Sequence, residues 1–374
     1  MNLRPKTRIQ IYQVLVITLF WVICGAFLAL YKCVTYDILT DRFIFFVPHN
    51  FSLGKFVLAN VIGPAIGGLL GGSVIVFRLN EKYRNKSYAY YLVVSILYFV
   101  GFIFVINSVI LFLFYYKDQI LGSSNVLVEA MNLLVFDPYA LRNLISWLFI
   151  VFFTLHGLKI YEKFGPDLLF SMFLGKYHRP HEVHRVFMFL DLTNSTPIAE
   201  KLGHTRFFGL LRDFYNDITD SILNSRGNIY QYVGDEIVIS WPPVKATASI
   251  PNCIACFFRI EDAIGNKEQY YLKKYGLVPS FKAALHQGKV VVGEIGIIKK
   301  EIVFSGDILN TTSRMMEQCK KFDQKFIISR DILEVTSKSN NNHYLIDSLG
   351  ELSLRGKSEP LELFGVRRNS SLQS

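Results

Sequence analysis

Tyr230-Gln231-Tyr232-Val233-Gly234-Asp235-Glu236-Ile237-Val238 reads as two strand-like runs hinged on a Gly-Asp dipeptide. A two-residue loop with Gly first fits a type II′ hairpin, whose first loop residue takes positive φ. The hairpin strands are then Asn228–Val233 and Glu236–Ser240. Upstream, Val186-Phe187-Met188-Phe189-Leu190 is an uninterrupted apolar run of strand length that ends in Asp191. Each of the two acids, Asp191 and Asp235, therefore follows a strand. Between them, Ser195–Leu202 and Thr205–Asn224 read as helices, the second with Phe207, Phe208, Leu211, Tyr215, Ile218 and Ile222 at helical spacing. A helix around Thr247–Tyr275 comes next. Phe281–Leu285 and Lys289–Ile295 read as two strands joined at His286-Gln287-Gly288. Glu301–Phe304 is a short strand, Leu309–Phe322 a helix, and Phe326–Ser329, Leu349–Leu354 and Leu361–Val366 are strands. The alternation is that of an α/β domain. His286 and Asp307 are expected to support turns, and Arg367–Ser374 reads as a disordered tail.

Outward from this domain the composition changes. Of the 374 residues, 51% are hydrophobic, and the excess lies before about residue 165. Ile11–Tyr31, Phe56–Phe77 and Ser87–Tyr116 contain no Asp, Glu, Lys or Arg, and each reaches the roughly 20 residues that cross a bilayer as a helix. Asn143–Leu158 is a shorter fourth run, with Trp147 and Tyr161 suited to its interfacial ends. The expected organisation is a four-helix transmembrane bundle over 1–163, with spans at about 11–31, 56–77, 90–115 and 143–161. A juxtamembrane linker over 164–185, a cytoplasmic domain over 186–366 and a tail over 367–374 follow. The first run is followed by Tyr31-Lys32-Cys33 rather than a small-residue cleavage site, so it reads as a retained span. Arg4, Lys6 and Arg8 precede the first span; Arg78, Lys82, Arg84 and Lys86 lie between the second and third; Lys159 and Lys163 follow the fourth. The other two loops mix signs. Positive-inside then puts both termini in the cytoplasm, in a multi-pass protein of the plasma (inner) membrane.

The net charge of +10 fits juxtamembrane anchoring and a polyanionic small molecule better than nucleic acid, because no run of five or more basic residues appears. The five cysteines form no disulfide framework, and Cys253/Cys256 sit in a helical pattern as core residues rather than zinc ligands. Gly63, Gly67, Gly68, Gly71 and Gly72 bring small residues four apart in the second span, serving either packing within the bundle or contact between copies. No intramembrane charge marks an ion path. His156 is the one titratable candidate near the membrane.

Asp191 alone is a strand-end cap, Asp235 hairpin chemistry, Asn310 a helix cap, and Arg314 and Lys289 solvated charges. Their joint order says more. Two carboxylates at neighbouring strand ends can hold two divalent ions roughly 3.5–4 Å apart against a nucleoside triphosphate. Asn310-Thr311-Thr312-Ser313-Arg314 sets an Asn and an Arg one helical turn apart, and an Arg can meet charge developing on a phosphoryl group.

Four blocks resemble, in order, the class III nucleotidyl cyclase catalytic domain, as in bacterial membrane-anchored adenylyl cyclases. They are Phe189-Leu190-Asp191-Leu192, Val233-Gly234-Asp235, Leu285-His286-Gln287-Gly288-Lys289-Val290-Val291-Val292-Gly293, and Ser305-Gly306-Asp307-Ile308-Leu309-Asn310-Thr311-Thr312-Ser313-Arg314-Met315. The resemblance covers about Val186–Val366. It implies a ferredoxin-like βαββαβ core and formation of a 3′,5′-cyclic nucleotide. It implies two ions, Mg²⁺ or Mn²⁺, per site on Asp191, Asp235 and the Leu192 backbone carbonyl. Asn310 would orient the ribose and Arg314 stabilise the transition state. Lys289, where Arg is usual, and Arg355, where Lys is usual, would hold the triphosphate; Lys keeps the charge but loses the bidentate fork. Active sites shared across a homodimer are implied too. Gln231 and Val303 fall at the base-selecting positions. There adenylyl enzymes usually carry Lys with Asp or Thr, and guanylyl enzymes carry Glu at the first. Gln231 can donate and accept, so it can read either purine; ATP is favoured because neither guanine-selecting residue is present. The alternatives are a guanylyl cyclase and an inactive, cyclase-like regulatory or dimerisation module. Both metal acids, Asn310 and Arg314 are retained, which argues against the inactive form.

Overall fold

The computed structural model describes residues 5–38, 53–83, 86–115, 138–164, 175–242, 250–337, 343–353 and 360–369. The chain divides into two compact units, Met1–Leu169 and Phe170–Ser374.

The first unit consists of long apolar helices. They are α1 (Pro5–Ile38), α2 (Leu53–Ser73), α3 (Tyr88–Tyr115) and α4 (Pro138–Phe164). A π-helical turn, Val74–Leu79, and Asn80–Lys82 extend α2. Four stretches of these helices, Lys6–Tyr31, Asn60–Lys82, Tyr88–Val105 and Leu141–Glu162, are long and apolar enough to cross a membrane. Gly67, Gly68, Gly71 and Gly72 of α2 pack inside the bundle, whereas Gly63 has open space beside it. A Cβ at Gly68 would lie 2.7 Å from Thr18 Cα, and one at Gly71 would lie 2.9 Å from the Phe99 ring. Trp21 fills the centre and donates through Nε1 to Thr154 Oγ1 at 2.9 Å. His156 bonds back to the Phe152 carbonyl at 3.0 Å, within its own helix. Charges gather at one end, where Lys6 pairs with Glu81 at 2.6 Å and Lys159 with Glu162 at 2.8 Å.

The second unit is a mixed sheet of order β2-β3-β1-β4-β6-β8-β7, with β5 paired to β4. Its strands are β1 (His181–Leu192), β2 (Asn228–Val233), β3 (Glu236–Trp241), β4 (Phe281–Ile295), β5 (Glu301–Ser305), β6 (Phe326–Ser329), β7 (Tyr344–Leu352) and β8 (Leu361–Arg368). The first four form the expected βαββαβ core, antiparallel in the order β2-β3-β1-β4. One face carries Val186, Met188, Leu190, Ile237 and Ile239. It packs under α5 (Ser195–Leu202), α6 (His204–Asn224), α7 (Ile250–Gly265) and α8 (Glu268–Tyr275). The other carries Phe187, Phe189, Val238 and Ala284, and is covered by α9 (Asp307–Lys321) through Ile308, Met315, Met316 and Cys319. Cys253 and Cys256 are fully buried in α7.

The structure corrects several expectations. Strand β1 starts at His181, not Val186, because residues read as linker extend the ladder with β4 as far as His181↔Val292. Strand β4 is continuous through His286-Gln287-Gly288. Its ladder with β1 holds this segment straight, and His286 shares a 2.8 Å hydrogen bond with Ser329 Oγ instead of supporting a turn. Asp307 lies in the first turn of α9 and accepts from Thr311 Oγ1. The helix expected over Thr247–Tyr275 is two, broken after Gly265. An unforeseen short helix, α10 (Arg330–Ser337), follows β6. Strand β8 includes Arg367 and Arg368, both read as tail.

Candidate active site

Gly234 takes φ 62° while Asp235 stays outside the positive region, as the type II′ turn requires. That turn ends β2 beside the end of β1 and brings Asp235 within hydrogen-bonding reach of Asp191. Tyr215 of α6 steadies the loop by donating to the Gly234 carbonyl at 3.2 Å. Leu192 is the last residue of β1, its side chain buried on the α6 face.

Two carboxylates that close share space only with a proton or a cation between them. Burial, and then the neighbouring Asp235, push the Asp191 carboxyl up to about 6, while Lys282 pulls it down. Burial, then Asp191 and Asp235, raise Glu236 to about 7. Burial, then Asp235, hold the Tyr215 phenol above its ordinary range. The oxygen-only donor set, short of positive charge, fits a hard divalent ion such as Mg²⁺ or Mn²⁺. Asp191, Asp235 and the Leu192 carbonyl are the groups that would hold it. Among the described residues no third His, Cys, Asp or Glu completes a compact ligand set.

Asn310 and Arg314 lie elsewhere. Helix α9 buries Ile308, Thr311, Thr312, Met315, Met316 and Cys319. At 100° per residue, Asn310 and Arg314 project from the side of the helix away from the sheet. Asn310 is exposed and Arg314 partly so. Lys289 belongs to this end: a Cβ at Gly306, the residue before α9, would lie 3.1 Å from the Lys289 carbonyl oxygen. Lys289 is seven residues along β4 from Lys282, the ladder partner of Asp191, a span of up to roughly 23 Å. Its Nζ pairs with Glu182 at 2.8 Å. Arg355 lies outside the described residues.

Gln231 is placed by a β-bulge. The β2–β3 register shifts between Ile229 and Gln231, so that Gln231 opposes Val238. An unbroken ladder would put Gln231 opposite Ile237, on the α6 face; the bulge turns it to the face that carries Asp191. Tyr230 is the extra residue, and its hydroxyl accepts from the Phe304 amide at 3.1 Å, drawing β2 to β5, where Val303 sits. The acid end therefore holds Asp191, Asp235 and Leu192, with Gln231 on the same face two rows further along the ladder. It also holds Glu236, Lys282 and Tyr215, which sequence reading passes over because each looks like an ordinary strand or helix residue; only the register exposes them.

Comparison with known proteins accords with this geometry. The profile of the adenylate and guanylate cyclase catalytic domain matches residues 178–366. Over 213 residues the chain is 35% identical to adenylate cyclase 2 of Rhizobium meliloti (strain 1021), covering 57% of this chain and 58% of that protein. A receptor-type guanylate cyclase of Caenorhabditis elegans is 23% identical over 218 residues, 57% of this chain and 21% of its own length. The chain thus spans little more than half of the first relative and a smaller part of the second. The solved structure of a bacterial light-regulated adenylyl cyclase is similar in fold, with a TM-score of 0.51 at 16% identity over 64% of this chain and 70% of that one. With the profile matched over half its length, and the two acids and the Asn-Arg helix in place within that match, the chain belongs to the adenylate and guanylate cyclase family.

Proposed function

We propose that this protein is a membrane-bound nucleotidyl cyclase that converts ATP to 3′,5′-cyclic AMP and pyrophosphate for intracellular signalling. The observation that carries the reading is the division of the site: paired acids at the end of β1 and in the β2–β3 turn, with Asn310 and Arg314 on the outward side of α9. A single chain presents the two halves in different directions. A second copy, related by two-fold symmetry, would set the outward side of one α9 against the acids of the other chain. Two sites per homodimer follow.

The roles then divide by chemistry. Divalent ions on Asp191, Asp235 and the Leu192 carbonyl would supply Lewis acidity to the 3′-hydroxyl and to the departing pyrophosphate. Asn310 orients the ribose by hydrogen bonding. Arg314, permanently charged, stabilises the negative charge that builds on the α-phosphoryl oxygens during in-line attack. Lys289 and Arg355 are retained as triphosphate contacts; Lys289 must leave Glu182 to act. Gln231, turned by its bulge to the acid face, reads the base with Val303. ATP is favoured because the guanine-selecting residue is absent and the relative at 35% identity is named an adenylate cyclase. The four apolar helices anchor the enzyme in the plasma (inner) membrane, with both termini and the catalytic unit in the cytoplasm.

The test uses the full chain in lipid nanodiscs with Mn²⁺ and each of the four nucleoside triphosphates. Cyclic AMP from ATP supports the assignment. Product from GTP alone overturns the choice of base, and no product from any triphosphate, in a folded dimer, favours a regulatory module.

A further inference from the structure

Asp191 is flanked in register from both sides, by Glu236 on β3 and by Lys282 on β4. Directly opposed residues of antiparallel strands share a face, with Cβ atoms roughly 4.5–5.5 Å apart. Lys282 Nζ stands 3.4 Å from Asp191 Oδ2, and their side chains are only 26% and 22% exposed. A half-buried row of acid, acid and base thus crosses three strands. Two residues along β1, the parallel row Val238–Phe189–Ala284 is apolar, as the core under α9 demands. Taking charges out of water costs free energy, so the charged row asks for a reason other than packing.

The charges themselves suggest one. When ionised, Asp191, Asp235 and Glu236 sum to three negative charges, and Lys282 returns the total to that of Asp191 and Asp235 alone. We propose that Glu236 and Lys282 form a compensating pair across Asp191 that sets how tightly the site holds its divalent ions, an inference that rests on the metal-binding reading of Asp191 and Asp235. Both are positioning residues: they act through the field at Asp191. Neutralising either should change affinity by about three- to tenfold, given the separation and salt screening. The signs are opposite, because one removes an attraction for the cation and the other a repulsion.

Mn²⁺ binding is measured on the full chain in zwitterionic nanodiscs, without nucleotide, from the free-ion electron paramagnetic resonance signal. Glu236→Gln should weaken binding, Lys282→Gln should tighten it, and the double variant should return to within about twofold of the parent. Lys282→Arg should leave binding unchanged, and Lys282→Met serves as a second neutral variant. Weaker binding in both single variants overturns the inference, since Lys282 then acts only by holding Asp191 in place. Unchanged binding in both overturns it as well. Asp191→Asn separates the two levels: if it binds Mn²⁺ like the parent, the metal-site reading fails and the inference with it. If Asp191→Asn loses binding while the Glu236 and Lys282 variants miss their signs, only the inference fails.

Discussion

The end of β1 and the outward side of α9 solve different problems. At the sheet end, acids are crowded together, braced by a tight turn and a tyrosine, and left short of positive charge. On the helix, Asn310 and Arg314 stand one turn apart over an apolar footprint of Ile308, Met315 and Cys319 that fixes the helix to the sheet. On the proposed reading, one region receives cations and the other reaches outward. The contrast teaches that burial in this unit sorts the two halves of the site: strand periodicity aims Asp191 at one place and helix periodicity aims Asn310 and Arg314 at another. Under the proposed shared site, catalysis depends on assembly, and regulation of the dimer is regulation of the site.

The most severe way to break either half is to delete its chemistry. Asp191→Ala, Asn310→Ala and Arg314→Ala should each lower kcat by at least about a hundredfold, the scale seen when one group aimed at transition-state charge is lost. Dimer formation, followed by light scattering, should be unchanged. The contrast sharpens when halves are mixed. Asp191→Ala coexpressed with Asn310→Ala should recover about a quarter of the parent activity, since random pairing leaves half of the dimers with one of two sites intact. No recovery, with mixed dimers shown to form, would sink the shared-site model.

A smaller effect separates the halves by pH. Burial, and then the neighbouring acids, push Asp191 up to about 6 and Glu236 up to about 7, from 3.8 and 4.5. Their folded pKa values exceed the unfolded ones, so the folded state binds more protons between these limits. Stability of the metal-free unit should therefore be full below the unfolded values and fall as pH rises through 6 to 7. Cations compete with those protons. The rise in melting temperature produced by Mn²⁺ should be small at about pH 5.5 and larger at about pH 7.5. Asp191→Asn should flatten both trends, whereas Arg314→Ala should leave them as they are.

Much of this contrast was legible in the residues before any coordinates. The Gly-Asp loop named its own turn type, since only the first position needs positive φ. The apolar run before Asp191 marked a central strand. Three charge-free runs marked helices of the first unit by length, and the shorter run Asn143–Leu158 marked the fourth with Trp147 and Tyr161 at its ends. What stayed hidden depends on register. His286-Gln287-Gly288 looks like a turn because Gly and polar residues interrupt two apolar runs, but its pairing with β1 keeps it extended. Helix Arg330–Ser337 is short and ends in Thr and Ser, a pattern shared with loops. Glu236 and Lys282 look like solvent-facing strand residues until the ladder sets them on either side of Asp191. The bulge that turns Gln231 leaves no mark in composition.

The mildest test concerns the brace rather than the acids. Tyr215 donates to the Gly234 carbonyl at 3.2 Å, and its ring packs on Tyr232 with centroids 4.6 Å apart. The ring contact fixes α6 against β2, and the hydroxyl fixes the loop that carries Asp235. Tyr215→Phe keeps the first and removes the second. A neutral hydrogen bond contributes about 0.5–1.5 kcal/mol, so kcat at saturating metal should fall by roughly two- to tenfold, with the apparent affinity for Mn²⁺ weakened to a similar degree. Tyr215→Ala should cost more, because the ring contact goes with the hydroxyl. Tyr215 lies on the α6 side of the sheet and α9 covers the other, so in a mixed dimer of Tyr215→Phe and Asn310→Ala the weakened acids face the disabled helix and contribute nothing. The site that pairs Asn310→Ala acids with a Tyr215→Phe helix should run at the parent rate. A mixed dimer no faster than the Tyr215→Phe homodimer per intact site would place the brace on both halves and blur the division between them.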